Sequence, residues 1–140
     1  MHGFADRLRQ ESIAAWQLET NRLNNILRGD LQRVYGNARL QQLAEAAQDE
    51  AAKLYAELYE EAQRGRHGYT HTLATVSEVT SPEEALCHQE LRDGLVYVCI
   101  EDGLRTAKVD VQLPPLQVET TTGIHNFPSV SLLRVSVAWL

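Results

Sequence analysis

The chain has 140 residues, 44% of them hydrophobic, with two cysteines and a formal net charge of −6. That is one domain's worth of sequence, long enough to bury a core without disulfide or metal staples. The acidic balance argues against a partner held by phosphate neutralisation, so no direct nucleic-acid contact is expected.

No apolar run approaches the roughly 18 residues of a membrane span, and no charged-then-apolar leader opens the chain. The expected location is therefore the cytoplasm, or a particle assembled there, without membrane contact. Cys87 and Cys99 form no Cys-x-x-Cys pair and read as free, buried thiols suited to a reducing compartment.

Residues 4–35 carry Phe4, Leu8, Ile13, Trp16, Leu23, Leu27, Leu31 and Val34 at helical spacing, with Thr20 filling the widest gap. Gly29 inside this stripe costs about 1 kcal/mol against Ala and makes a kink there an expectation. Gly36-Asn37 ends the helix, both residues tolerating a left-handed conformation. A second helix is predicted from Ala38 to Arg64, on a stripe of Leu40, Leu43, Ala47, Ala51, Leu54 and Leu58. The short connection predicts an antiparallel hairpin. Its Ala-rich contact face lets another helix approach closely but buries little area. Ala47, Ala51, Leu54 and Leu58 are therefore expected to meet the sheet or another subunit.

The segment RGRHGYTHTLATV, residues 64–76, is the seam between two kinds of sequence. Gly65 stands where a helix C-cap glycine belongs. From Tyr69 the pattern becomes period two, with Tyr69, His71 and Leu73 on one face of a strand. Ser81-Pro82-Glu83-Glu84 is a capping box with proline at the first helical position. It predicts a short helix stopped by Asp93-Gly94. Leu95–Ile100, apolar on both faces, reads as a covered central strand. Asp102-Gly103 reads as a hairpin turn. In the return strand, Arg105–Leu113, the alternation puts Ala107, Val109, Val111 and Leu113 inward. Pro114-Pro115 breaks it. Leu116–Thr122 is a further strand closed by Gly123, and Val130–Leu140 is the last, with Leu133, Val135, Val137 and Trp139 on one face.

The resulting fold class is α+β: an N-terminal antiparallel helical hairpin over residues 1–64, then a β-rich part over 65–140 with a mostly antiparallel sheet of about five strands and one short helix after the first. The two parts are expected to form one compact unit.

Chemistry-bearing patterns are weak. His67 and His71 are four apart but glycines interrupt any helix between them, and a metal site needs a third ligand such as Cys87, His88 or His125 brought by the fold. Adjacent Cys87 and His88 diverge by about 100° on a helix and make a poor nucleophile–base pair; a core cysteine beside a surface histidine is the expectation. There is no phosphate loop, nucleophile elbow or useful carboxylate pair. No cofactor, metal or catalytic residue is assigned.

The sequence thus points to a non-enzymatic structural or assembly protein, such as a small virion or phage particle component. It is expected to be a homo-oligomer, or to bind other protein subunits, through helix and edge-strand contacts at Trp16, Ala47, Ala51, Leu54, Leu58, Val135, Val137 and Trp139. The alternative is a small-ligand-binding or enzyme domain with a cone-shaped cystatin- or NTF2-like fold, its pocket lined by Tyr69, His71, Tyr97 and His125.

Overall fold

The computed structural model describes residues 3–77, 82–127 and 130–140. Four helices and five strands follow in the order α1 (Gly3–Tyr35), α2 (Asn37–Ala46), α3 (Gln48–Gln63), β1 (Gly68–Ser77), α4 (Pro82–Glu101), β2 (Arg105–Leu113), β3 (Leu116–Thr120), β4 (Gly123–Phe127) and β5 (Val130–Ala138). The fold is α+β. One antiparallel sheet has the order β1-β5-β2, and β3-β4 forms a separate two-stranded hairpin. The expected cap, Ser81, lies outside the described residues.

The centre of the molecule is α4, which touches α1, α2, α3 and all three strands of the larger sheet. Its second half is the segment expected to be a strand. Leu95, Val96, Cys99 and Ile100 are buried in the core with Leu40, Leu54, Val135 and Val137. A short run apolar on every side fits a buried strand and a buried helix equally by pattern; here helices cover one side and the sheet the other. Asp93-Gly94 does not stop the helix. At Gly94, α2 crosses so closely that an added Cβ would lie 2.7 Å from the Leu43 carbonyl carbon and nearer still to its oxygen. Glycine is there to admit a neighbouring backbone, not to end α4.

Asp102-Gly103 closes this helix instead of turning a hairpin. Gly103 has φ 82°, and its N–H donates to the Ile100 carbonyl at 3.0 Å while Leu104 N–H donates to Cys99 at 3.1 Å. That is a Schellman ending. Gly65, with φ 80°, ends α3 the same way, Arg66 N–H reaching the Glu61 carbonyl at 3.1 Å. This fulfils the helix-stop reading of the seam.

The helical hairpin is confined to α1 and α2. The predicted second helix breaks at Ala47, whose N–H is shared between the Leu43 and Ala44 carbonyls. From there α3 packs on α4 and β1 and makes no close approach to α1. Gly29, by contrast, leaves α1 unbroken.

In the larger sheet, β5 is the central strand. It pairs with β1, Tyr69 opposite Val137 and His71 opposite Val135, with a register shift between Thr72 and Ala74. On its other side Thr106 lies opposite Val137 and Lys108 opposite Val135. The inward face of β2 is therefore Thr106, Lys108 and Asp110, not the apolar set expected. Arg92 and Asp93 of α4, both buried, explain the reversal. Arg92 pairs with Asp110 and, at 3.1 Å, with Asp93; Lys108 reaches Asp93 at 3.6 Å. The Tyr35 hydroxyl also donates to Asp93. Two cations and two carboxylates satisfy one another under the sheet, which a buried charge requires. Val109 and Leu113 are left exposed on the outer face.

Because Gly94 meets backbone, no side-chain rotation relieves a larger residue. Gly94→Ala is expected to cost about 1–3 kcal/mol or more through overpacking, read as a lower urea midpoint; a midpoint equal to that of the parent would show that α2 and α4 are not so closely packed.

Candidate functional site: the seam and the outer face of the first helix

At the seam, period-two spacing turns Tyr69 and His71 of β1 toward α3. His71 is buried. Its Nε2 lies 2.9 Å from Glu50 Oε1 and its Nδ1 3.1 Å from Glu57 Oε2. Glu50 and Glu57 are two helical turns apart and thus on one face of α3. A ring carrying both protons donates to both carboxylates, whereas a neutral ring donates to only one. A hydrogen bond to Glu57, with burial adding to it, pushes the Tyr69 phenol up. Glu61, also buried, takes Arg64 at 3.1 Å and Arg66 at 2.8 Å. This polar seam clamps helix to sheet. Among the described residues, no group of three or more His, Cys, Asp or Glu side chains is arranged to hold a metal ion. His67 is exposed, and its carbonyl accepts from Trp139 N–H at 3.1 Å, prolonging the β1–β5 ladder.

The residues expected to line one pocket are not brought together. His71 faces α3. Tyr97 stands over a groove of about 530 Å³ between α2–α3 and α4, its hydroxyl accepting from Gln41. His125 is on the β3–β4 hairpin beside Thr122. The expected pairing of a core cysteine with a surface histidine is also inverted, since Cys87 is exposed and His88 half-buried. Burial, reinforced by Asp102, pushes the Cys99 thiol up to about 12.

The residues expected at a subunit contact divide into two groups. Ala47, Ala51, Leu54, Leu58, Val135 and Val137 are buried in this chain's own core. Trp139 packs partly against that core. Trp16 is half-buried under Arg105, whose guanidinium sits 4.6 Å from the ring centroid. Arg105 also donates to Thr20 at 2.9 Å and to the Trp16 carbonyl at 3.0 Å. Asn24 completes the clamp: its Nδ2 donates to the Leu104 carbonyl at 2.8 Å and its Oδ1 accepts from Thr106 N–H at 3.2 Å. A polar line, Thr20 and Asn24, thus docks α1 on the start of β2. Apolar periodicity gave no reason to single out Asn24.

This docking exposes a surface that the sequence reading merged with the core. The apolar positions of α1 form two faces. Trp16, Leu27 and Leu31 turn toward the body. Phe4, Leu18 and Ile26 turn away and are 68%, 74% and 54% exposed, while Leu8, 52% exposed, stands at the edge between the faces beside Ile13, Trp16 and Leu140. Every residue from Gly3 to Ala15 is exposed. A shallow, mainly apolar groove of about 490 Å³ runs between this segment and Leu140. The β3–β4 hairpin is a second projection: it packs on no other described element and exposes Ile124 and Val118. Among the described residues, no helix is long and apolar enough to cross a membrane. Comparison with protein-family models, curated proteins and solved structures returns no match to this chain.

Replacing His71 by Leu removes the imidazole from Glu50 and Glu57, leaving Glu57 with the Tyr69 hydroxyl and Glu50 with Lys53 at 3.8 Å. It is expected to lower stability by about 1–3 kcal/mol, and adding Glu50→Gln should recover part of the loss. A His71→Leu chain with the parental unfolding midpoint would remove the seam's structural role. In thiol titration of the folded chain, Cys87 should react within seconds and Cys99 only on unfolding; two fast thiols would contradict the burial of Cys99.

Proposed function

We propose that this protein is a non-enzymatic, self-associating structural subunit that works through protein–protein contact. The observation that carries the reading is the outward face of α1, where four large apolar side chains stand in solvent along one side of a helix whose other side docks on the body from Trp16 onward. Scattered exposed apolar residues are ordinary, but an aligned set marks an interaction surface. The β3–β4 hairpin supports the same reading, because a two-stranded hairpin without further cover is marginal in water.

Small-ligand chemistry is the weaker reading. The polar residues that a pocket would need lie on separate surfaces, and the buried charges are used in holding helices to the sheet. A particle component is one setting in which a small subunit with two projecting elements would serve.

Light scattering across a concentration series tests the proposal. At tens of micromolar the mass should exceed that of the 15.8 kDa chain. The Leu8→Lys/Leu18→Lys double variant should shift it toward monomer while its thermal midpoint stays near the parent's, since surface changes seldom exceed about 0.5 kcal/mol each. A parent chain monomeric throughout the series, or a double variant that associates like the parent, would refute it.

A further inference from the structure

We infer that the partner of the outer α1 face is a second copy of this chain, laid antiparallel across it with the two-fold axis between Trp16 and Gln17. The inference rests on the assembly reading and specifies its partner, orientation and register.

The outward residues of α1 follow a heptad. From Phe4 the steps to Leu8, Glu11, Ala15, Leu18, Arg22, Asn25 and Gly29 alternate four and three, the spacing of a two-helix seam. Ile13, Thr20 and Leu27 recur every seven residues on the opposite side, the side that faces the body; Thr20 is buried there and Leu27 packs on the core. Docking on the body and pairing along the seam therefore use different faces and do not compete.

The seam is self-complementary only when the second helix runs backwards. With the axis between residues 16 and 17, Ala15 meets Leu18, small against large. Phe4 meets Gly29, where an added Cβ would find nothing within 4 Å, so the ring has room above the glycine. Leu8 meets Asn25, with Ile26 beside it. Glu11 meets Arg22, and the symmetry makes this pair twice. Glu11 has no charged partner among the described residues of its own chain. Arg22 gives its Nε and Nη2 to Glu19, which leaves Nη1 for the partner's carboxylate. In a parallel pair Glu11 would face Glu11 and Arg22 would face Arg22, so the same two residues that favour one orientation oppose the other. Arg7 and Arg28 flank the antiparallel seam with like charge, but Arg28 already holds Glu101 at 3.1 Å.

A charge swap measured by sedimentation equilibrium tests the arrangement. Glu11→Arg and Arg22→Glu, each alone, put like charges in contact at two places and should raise the dimer dissociation constant about tenfold or more. The double variant restores opposite charges in the reversed sense and should return to within about threefold of the parent, which is possible only if the two positions face each other. Circular dichroism and thermal midpoints of all three variants establish that the fold is kept, as expected for exposed positions. If the parent dimerises and the single changes weaken it but the double variant does not recover, the antiparallel register is wrong while association through α1 stands. If the single changes leave dimerisation unaltered, the seam is not the interface. A parent that stays monomeric overturns both this pairing and the assembly reading.

Discussion

The structure depends on how closely α2 can cross α4. At Gly94 the backbone of one helix sits against the Leu43 carbonyl of the other, leaving no space for a side chain. This approach brings Leu40 down onto the layer formed by Leu95, Val96, Cys99 and Ile100, and the break at Ala47 then lets α3 continue over the same helix toward β1. The sheet closes the layer from below through Val135 and Val137 of its central strand. Interior packing tolerates little added volume, so the positions of α2, α3 and the sheet are all fixed relative to one helix.

Polar groups decide the remaining placements. The Arg92–Asp93–Lys108–Asp110 cluster sets which face of β2 looks inward, the Glu50–His71–Glu57 cluster ties α3 to β1, and Asn24 with Arg105 seats α1 on the start of β2. These clusters are of opposite charges or of matched donors and acceptors, as burial demands. They also explain why α1 uses a modest, partly polar face to dock and keeps large apolar residues on the other.

Local signals with a single physical meaning were legible in the sequence. Gly65 as a helix ending, the strand expected from Tyr69, which begins one residue earlier at Gly68, the break at Pro114-Pro115 and the inward Leu133, Val135 and Val137 all appear in the structure. Patterns with two meanings were not. Leu95–Ile100 is apolar all round, which a strand between two layers and a helix at the centre share, and Asp102-Gly103 suits a hairpin turn and a Schellman ending alike. Gly123 was read as a stop, but it opens β4, pairing with Thr120 across a two-residue turn. The clean alternation of Arg105–Leu113 gave the strand but the wrong inward face, because the charges that claim that face, Arg92 and Asp93, are distant in sequence. The eight apolar positions of α1 looked like one stripe for a related reason: without knowing that Thr20 and Asn24 dock, nothing separates an inner from an outer side. Trp16, expected at a subunit contact, is half-buried under Arg105 of the same chain.

The body is complete around α4, the first turns of α1 and the β3–β4 hairpin project from it, and the outer face of α1 is free in the single chain; the proposed association would cover that face. Amide hydrogen exchange across a dilution series measures this directly. The account predicts the slowest exchange at Leu95–Ile100 at every concentration, fast exchange over residues 4–15 in dilute solution, and rising protection of that segment as concentration increases. Residues 4–15 protected in dilute solution to the level of α4, or unprotected at every concentration, would contradict it.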